Sequence, residues 1–100
     1  MNDLIKNIEQ WATERNLHTA EPNKQMLKLG EEFGELCAGM ARSDTAETLD
    51  ALGDMFVVMT ILAMQLGYPI TECVEAAYEE IKNRKGKMVN GVFIKAADLP

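Results

Sequence analysis

The chain has 100 residues, with 16 Asp or Glu, 10 Lys or Arg and one His, for a formal net charge of -6. This length fits one domain, the 47% apolar content excludes disorder, and the acidic balance excludes a general binder of nucleic-acid polymers or anionic membranes. Cys37 and Cys73 make neither a disulfide framework nor a zinc site, and Asp3, Lys6 and Glu9 interrupt any apolar leader, so the expected location is cytoplasmic.

Residues 3–15 place Leu4, Ile5, Ile8, Trp11 and Ala12 on one helical face. Residues 16–23 read as a linker, with Pro22 suited to a first helical turn. Over 23–41 the residues Met26, Leu29, Phe33, Leu36, Cys37 and Met40 repeat at three and four, which predicts a second helix with these side chains in the core. Asp44 and Glu47 have the spacing of a capping box, and a third helix is predicted over 45–66, ended by Gly67 and Pro69. A fourth, capped by Thr71 and carrying Val74, Ala77, Tyr78 and Ile81 inward, is predicted over 71–85. The tail 86–100 is β-prone and contains the turn pair Asn90-Gly91. The expected fold is all-α: a four-helix bundle protomer in a single domain over 1–100, with a short extended or hairpin-like C-terminal tail.

Met55 to Met64 is apolar except for Thr60, yet too short for a hydrocarbon layer of about 30 Å. Such a run belongs to a helix buried on every side. Four short helices supply little wall for that, which predicts self-association as a homodimer or dimer of dimers. The alternative is the central core helix of a monomer.

Charge is unevenly spread. Glu31, Glu32, Glu35, Asp44, Glu47, Asp50 and Asp54 fall in one stretch with Arg42 as its only cation, whereas Lys82, Arg84, Lys85, Lys87 and Lys95 crowd the C-terminal end. Lys28, Glu32, Glu35 and Gly39 share a stripe of the second helix. Glu47, Asp50 and Asp54 form a stripe of the third that continues into Val57, Val58 and Ile61. Carboxylates a few ångströms apart repel by about 1 kcal/mol in water and about 4 kcal/mol at an effective dielectric of 20. A half-buried cluster therefore calls for shared protons, Lys or Arg partners, or a divalent cation with oxygen ligands, of which Mg²⁺ suits phosphate substrates best. A solvated acidic face is the competing reading.

Leu29-Gly30-Glu31-Glu32-Phe33-Gly34-Glu35-Leu36 followed by Asp50-Ala51-Leu52-Gly53-Asp54, with the closing stretch Ile81 to Phe93, resembles the MazG-like all-α nucleoside triphosphate pyrophosphohydrolases, in particular their small phage-associated type. The family signature is EExxE, a spacer and ExxD on two helices of a four-helix bundle. This chain departs from it at Ala51, where the family has an acid; Asp50 stands one residue earlier and stays on the same helix face. The resemblance implies Mg²⁺, with Mn²⁺ as an alternative, held by Glu32, Glu35 and Asp54, with Asp50 as a replacement ligand. It implies that Glu31 and Glu35 are catalytic, Glu31 orienting or deprotonating water or adding a further ligand. Lys28 and Arg84 would contact phosphates, with Lys85 and Lys87 as looser candidates; Trp11 reads first as a core residue of its amphipathic helix, with a base-stacking platform as the alternative the resemblance offers. The implied reaction splits an NTP or dNTP between the α- and β-phosphates to give a nucleoside monophosphate and pyrophosphate, in a nucleotide-pool housecleaning role. The alternatives are a phosphoribosyl-ATP pyrophosphohydrolase and a non-enzymatic helical interaction module.

Other signals have plainer readings. His18 is expected in an exposed linker without a role. The Gly30/Gly34 pair and Gly53 would allow close backbone approach, and Cys37 and Cys73 would be inert small hydrophobes. Gly86 and Gly91 have P-loop spacing, but Val92-Phe93 follow where Lys-Ser/Thr is required. For the basic tail, complementing a helix dipole competes with phosphate binding or an arm on a neighbour.

Overall fold

The computed structural model describes all 100 residues, and they divide into two compact units, Met1–Ile70 and Thr71–Pro100. Helix α1 spans Asn2–Glu14 and buries Ile5 and Ala12, two members of the predicted face. It ends at Asn16, which adopts a left-handed φ of 58°, and a 3-10 turn over Leu17–Thr19 follows. Helix α2, Pro22–Ala41, starts on the predicted proline.

The connection from α2 to α3 is short and heavily bonded. Ser43 N–H donates to Met40 O at 3.1 Å and Asp44 N–H to Gly39 O at 2.8 Å, a Schellman cap with Ser43 at φ 56° in the position glycine usually takes. Asp44 then opens α3 (Thr45–Gln65), its Oδ1 accepting from Glu47 N–H at 3.0 Å, so the expected cap forms. Arg42 reaches Glu47 at 3.3 Å, and part of the acidic run is thus committed to the corner.

Packing between α2 and α3 runs along Gln25, Leu29, Glu32, Leu36 and Gly39 on one side and Thr48, Ala51, Met55 and Val58 on the other, all buried or half-buried. These are again spacings of three and four; Leu29 and Leu36 were predicted for the core, and the rest of the predicted set lies further round the helix. Met26, Phe33 and Met40 are exposed, and so is Cys37. The close approach that Gly30, Gly34 and Gly53 were expected to allow does not occur: a Cβ on any of them meets nothing within 4 Å. Gly39 makes that approach instead.

Helix α3 is covered from within its own unit. No residue from Met55 to Met64 is exposed, and Val58, Thr60, Ile61 and Ala63 are buried. Ile5 of α1 packs with Ala63, Ile70, Phe56 and Met59, and the Thr60 hydroxyl is satisfied by Phe56 O at 2.8 Å. The other six residues of the run, Met55, Phe56, Val57, Met59, Leu62 and Met64, are half-buried. No single helix is long and apolar enough to cross a membrane.

Helix α4 (Ile70–Ile81), in the second unit from Thr71 on, ends four residues earlier than predicted. Lys82 N–H and Arg84 N–H close its end on Tyr78 O and Ile81 O, both at 2.9 Å. Strands β1 (Gly86–Val89) and β2 (Val92–Lys95) pair antiparallel, Met88 opposite Phe93, around Asn90 and Gly91 at φ 51° and 80°. Both central residues have positive φ, as a type I′ turn requires. Ala96 N–H to Lys85 O, 2.7 Å, extends the hairpin by one bond. Val74, Tyr78 and Ile81, predicted to point inward, are exposed, as is Cys73. Four helices and a C-terminal hairpin match the expected all-α class.

Candidate active site

Antiparallel packing brings the EExxE region of α2 against the middle of α3. Glu32 lies on the packing seam itself, half-buried, and its Oε2 is buried with no hydrogen-bond partner. Burial raises the Glu32 carboxyl above its ordinary range; a hydrogen bond with Glu35 and the charges of Glu35 and Asp54 raise it further, and Lys28 opposes them. Asp54 is 22 positions away in sequence, so this is a tertiary cluster built by the helix pair. It has the sign and crowding expected of a place that receives positive charge.

The predicted residues separate into groups. Glu32, Glu35, Asp54 and Lys28 interact, Glu35 and Asp54 from exposed positions beside the seam. Asp50 is exposed on α3 and is not among the charges acting on Glu32. Glu31 is exposed, roughly 100° round α2 from Glu32. As the side chains stand, no group of three or more His, Cys, Asp or Glu closes to metal-holding geometry. The donor chemistry nevertheless fits a hard divalent cation: the charges of two carboxylates act on a third, which has an orphaned buried oxygen.

Arg84, Lys85 and Lys87 belong to the second unit. Arg84 was expected on the fourth helix but lies beyond its end, Lys85 precedes β1, and Lys87 is within β1. Between residues 82 and 95 five cations occur without an acid, and all are exposed; only Lys82 is paired, with Glu79 at 2.7 Å.

Trp11 is 46% exposed and lines an apolar groove of about 330 Å³ with Leu4, Asn7, Ile8 and Val57. Arg15 stacks over its indole at 4.3 Å. Val57 lies three residues beyond Asp54, so the groove begins one turn along α3 from the carboxylates. Sequence reasoning singled out Trp11 and missed the groove, because juxtaposing α1 with α3 leaves no local pattern. His18 was misread as exposed: it is half-buried in the 3-10 turn with Nδ1 unpartnered. In the same region Gln65 Nε2 donates to Leu17 O at 2.9 Å, while its Oε1 is buried and unpartnered.

Comparison with known proteins adds two findings. The profile of the phosphoribosyl-ATP pyrophosphohydrolase family matches residues 1–84. An uncharacterized 18.2 kDa protein of the rep-hol intergenic region of Haemophilus phage HP1 (strain HP1c1) is 56% identical over 66 residues, covering 65% of this chain and 40% of the phage protein. The match thus spans less than half the length of that relative. No solved structure matches.

Proposed function

The chain belongs to the phosphoribosyl-ATP pyrophosphohydrolase family, and we propose that it hydrolyses a nucleotide at the carboxylates shared by α2 and α3. The family is one of nucleotide pyrophosphohydrolases, hydrolases acting on phosphoric anhydrides. The observation that carries the reading is the strained Glu32–Glu35–Asp54 cluster with the orphaned Glu32 oxygen.

Our reading of the substrate is an NTP or dNTP, cleaved between the α- and β-phosphates. Glu32, Glu35 and Asp54 would hold Mg²⁺, or Mn²⁺, with Asp50 at the margin. When bound, the cation neutralises phosphate charge and acidifies water. The remaining work falls to the chain. Lys28 adds positive charge beside the cluster. Glu35 or Glu31 accepts the proton of the attacking water as its oxygen bonds to the α-phosphorus; the α–β bridging oxygen leaves with pyrophosphate. Arg84, Lys85 and Lys87 have the chemistry to stabilise that leaving group. The Trp11 groove offers an indole and an amide, from Asn7, to a nucleobase.

Phosphoribosyl-ATP, the compound in the family's description, is the second substrate reading. Pyrophosphate release from a panel of NTPs, dNTPs and phosphoribosyl-ATP, with and without Mg²⁺, tests both. Mg²⁺-dependent release is expected. If no nucleotide is cleaved and Mg²⁺ does not raise the melting temperature, the hydrolase reading fails and a helical interaction module remains.

A further inference from the structure

Helix α1 ends in a tighter turn than the rest of its length. Asn16 takes a left-handed φ of 58°, and the N–H groups of Arg15 and Asn16 donate three residues back, to Ala12 O at 3.2 Å and Thr13 O at 3.1 Å. Trp11 O, four residues before Arg15, thus loses the backbone donor that a continuing α-helix would supply. Arg15 Nη1 donates to it instead, at 3.0 Å. That bond folds the side chain back along its own helix and lays the guanidinium over the Trp11 ring, 4.3 Å from its centroid. The cation has no carboxylate partner. Neither ion pair of the molecule includes Arg15, and the carboxylate of Glu14, next to it in sequence, accepts from Gln10 Nε2 at 3.0 Å.

We propose that Arg15 is the positioning residue of the Trp11 groove: it holds the indole so that the ring surface left free is presented to a nucleobase. This rests on the reading of the groove as the base site. Arg15 does not line the groove, whose walls are Leu4, Asn7, Ile8, Trp11 and Val57, so the groove uses the part of the ring that the guanidinium does not cover. Trp11 is the one aromatic side chain among those walls, and it is exposed. An exposed indole has freedom about its side-chain torsions, and a ligand that stacks on it must remove that freedom. A guanidinium anchored to the backbone oxygen of the same residue and laid on its ring removes it beforehand. A preformed wall favours the ground and transition states alike, so Arg15 acts on affinity and leaves the chemical step alone. A cation at a helix C-terminus also steadies the helix itself, and the experiment separates the two roles.

Trp11 is the single tryptophan of the chain, so its emission reports on the ring directly. In Arg15→Gln an amide can still donate to Trp11 O, but the planar cation is gone. Acrylamide quenching of Trp11 emission is expected to increase in the free variant. Its KM for the nucleotide cleaved best should rise about threefold with kcat within about twofold. Arg15→Gln added to Trp11→Ala should leave KM where Trp11→Ala alone puts it, because Arg15 acts through the ring. Lys6→Ala removes a cation from the same helix outside the groove and should change neither reading. A lower melting temperature with quenching and KM both unchanged makes Arg15 a helix cap and overturns the proposal. A KM that climbs further in the double variant overturns it too, since Arg15 then contacts the nucleotide itself. The hydrolase reading fails separately. If no nucleotide is cleaved, quenching of Trp11 emission by the same nucleotides gives a dissociation constant in place of KM, and the same change of about threefold there supports the role of Arg15. Nucleotides that leave the emission untouched overturn it.

Discussion

Gly39 of α2 lies so close to Thr48 of α3 that a Cβ would stand 2.9 Å from the threonine hydroxyl and 3.0 Å from its backbone nitrogen. This contact sits at the closed end of the helix pair and sets the spacing that reaches the carboxylates. Glu32 lies seven residues back along α2, Asp54 six residues on along α3, so each is about two turns away. Gly39→Ala should push the helices apart and cost about 1–3 kcal/mol by overpacking. Urea denaturation would measure the loss. The Mg²⁺-induced rise in melting temperature should shrink in the same variant, because the carboxylates separate.

Glu32 makes the metal-free protein sensitive to pH. Its carboxyl is raised in the fold above the reference 4.5, first by burial and then by Glu35 and Asp54. The folded state therefore holds this proton more tightly than the unfolded chain does. The contribution to stability is fully present below pH 4.5 and is lost as pH rises through the folded value. In EDTA, thermal midpoints between pH 4 and 7 should show wild type losing more stability than Glu32→Gln. A variant whose profile parallels wild type would remove Glu32 from the account.

Among the three best-placed acids, Glu35 and Asp54 carry the sharper expectation. Glu35→Ala should lower kcat by about 10²–10⁴-fold with the helical circular dichroism unchanged, as removal of a proton acceptor or charge partner does. Asp54→Asn should raise the Mg²⁺ concentration needed for half-maximal turnover. Asp50→Asn should move it less, because Asp50 is not one of the charges acting on Glu32. If Asp50→Asn and Asp54→Asn shift the Mg²⁺ dependence equally, Asp50 does stand in for the acid that Ala51 replaces.

The carboxylate cluster was legible because spacings of three and four fix which side chains share a helix face before any tertiary contact exists. What covers a face is not written in its spacing. Met26, Phe33 and Met40 repeat as faithfully as Leu29 and Leu36, yet α3 packs against the second set and leaves the first exposed. The capping pair Asp44 and Glu47 was readable because it is local. The end of α4 was not, since nothing at Lys82 or Asn83 forbids helix; the antiparallel pairing of residues 86–95 and the Lys85–Ala96 bond hold the following segment extended. Gly30 and Gly34 looked like packing glycines, and Gly39 did not, because only the fold decides which glycine meets a neighbour.

Ser43 offers a stability test apart from the site. It holds φ 56° without the freedom of glycine, at the cap joining α2 to α3. A left-handed conformation strains a residue that carries Cβ, so Ser43→Gly should recover about 0.5–1 kcal/mol. Differential scanning calorimetry should show a rise of a few degrees in melting temperature. Ser43→Val should move it the other way, since a β-branched side chain tolerates that region worst.

Trp11 separates binding from chemistry. Its ring is packed by Arg15 and borders the groove that begins one turn beyond Asp54, while the carboxylates lie on other helices. If a nucleobase occupies that groove, Trp11→Ala removes contact area that is equal in ground and transition states. KM should then rise by about tenfold with kcat within about threefold, the signature of lost uniform binding. Asn7→Ala should change the ranking of bases in the nucleotide panel, because its amide is the polar side chain lining the groove. A purely structural Trp11 predicts something else: a lower melting temperature, with KM unchanged for the protein that remains folded.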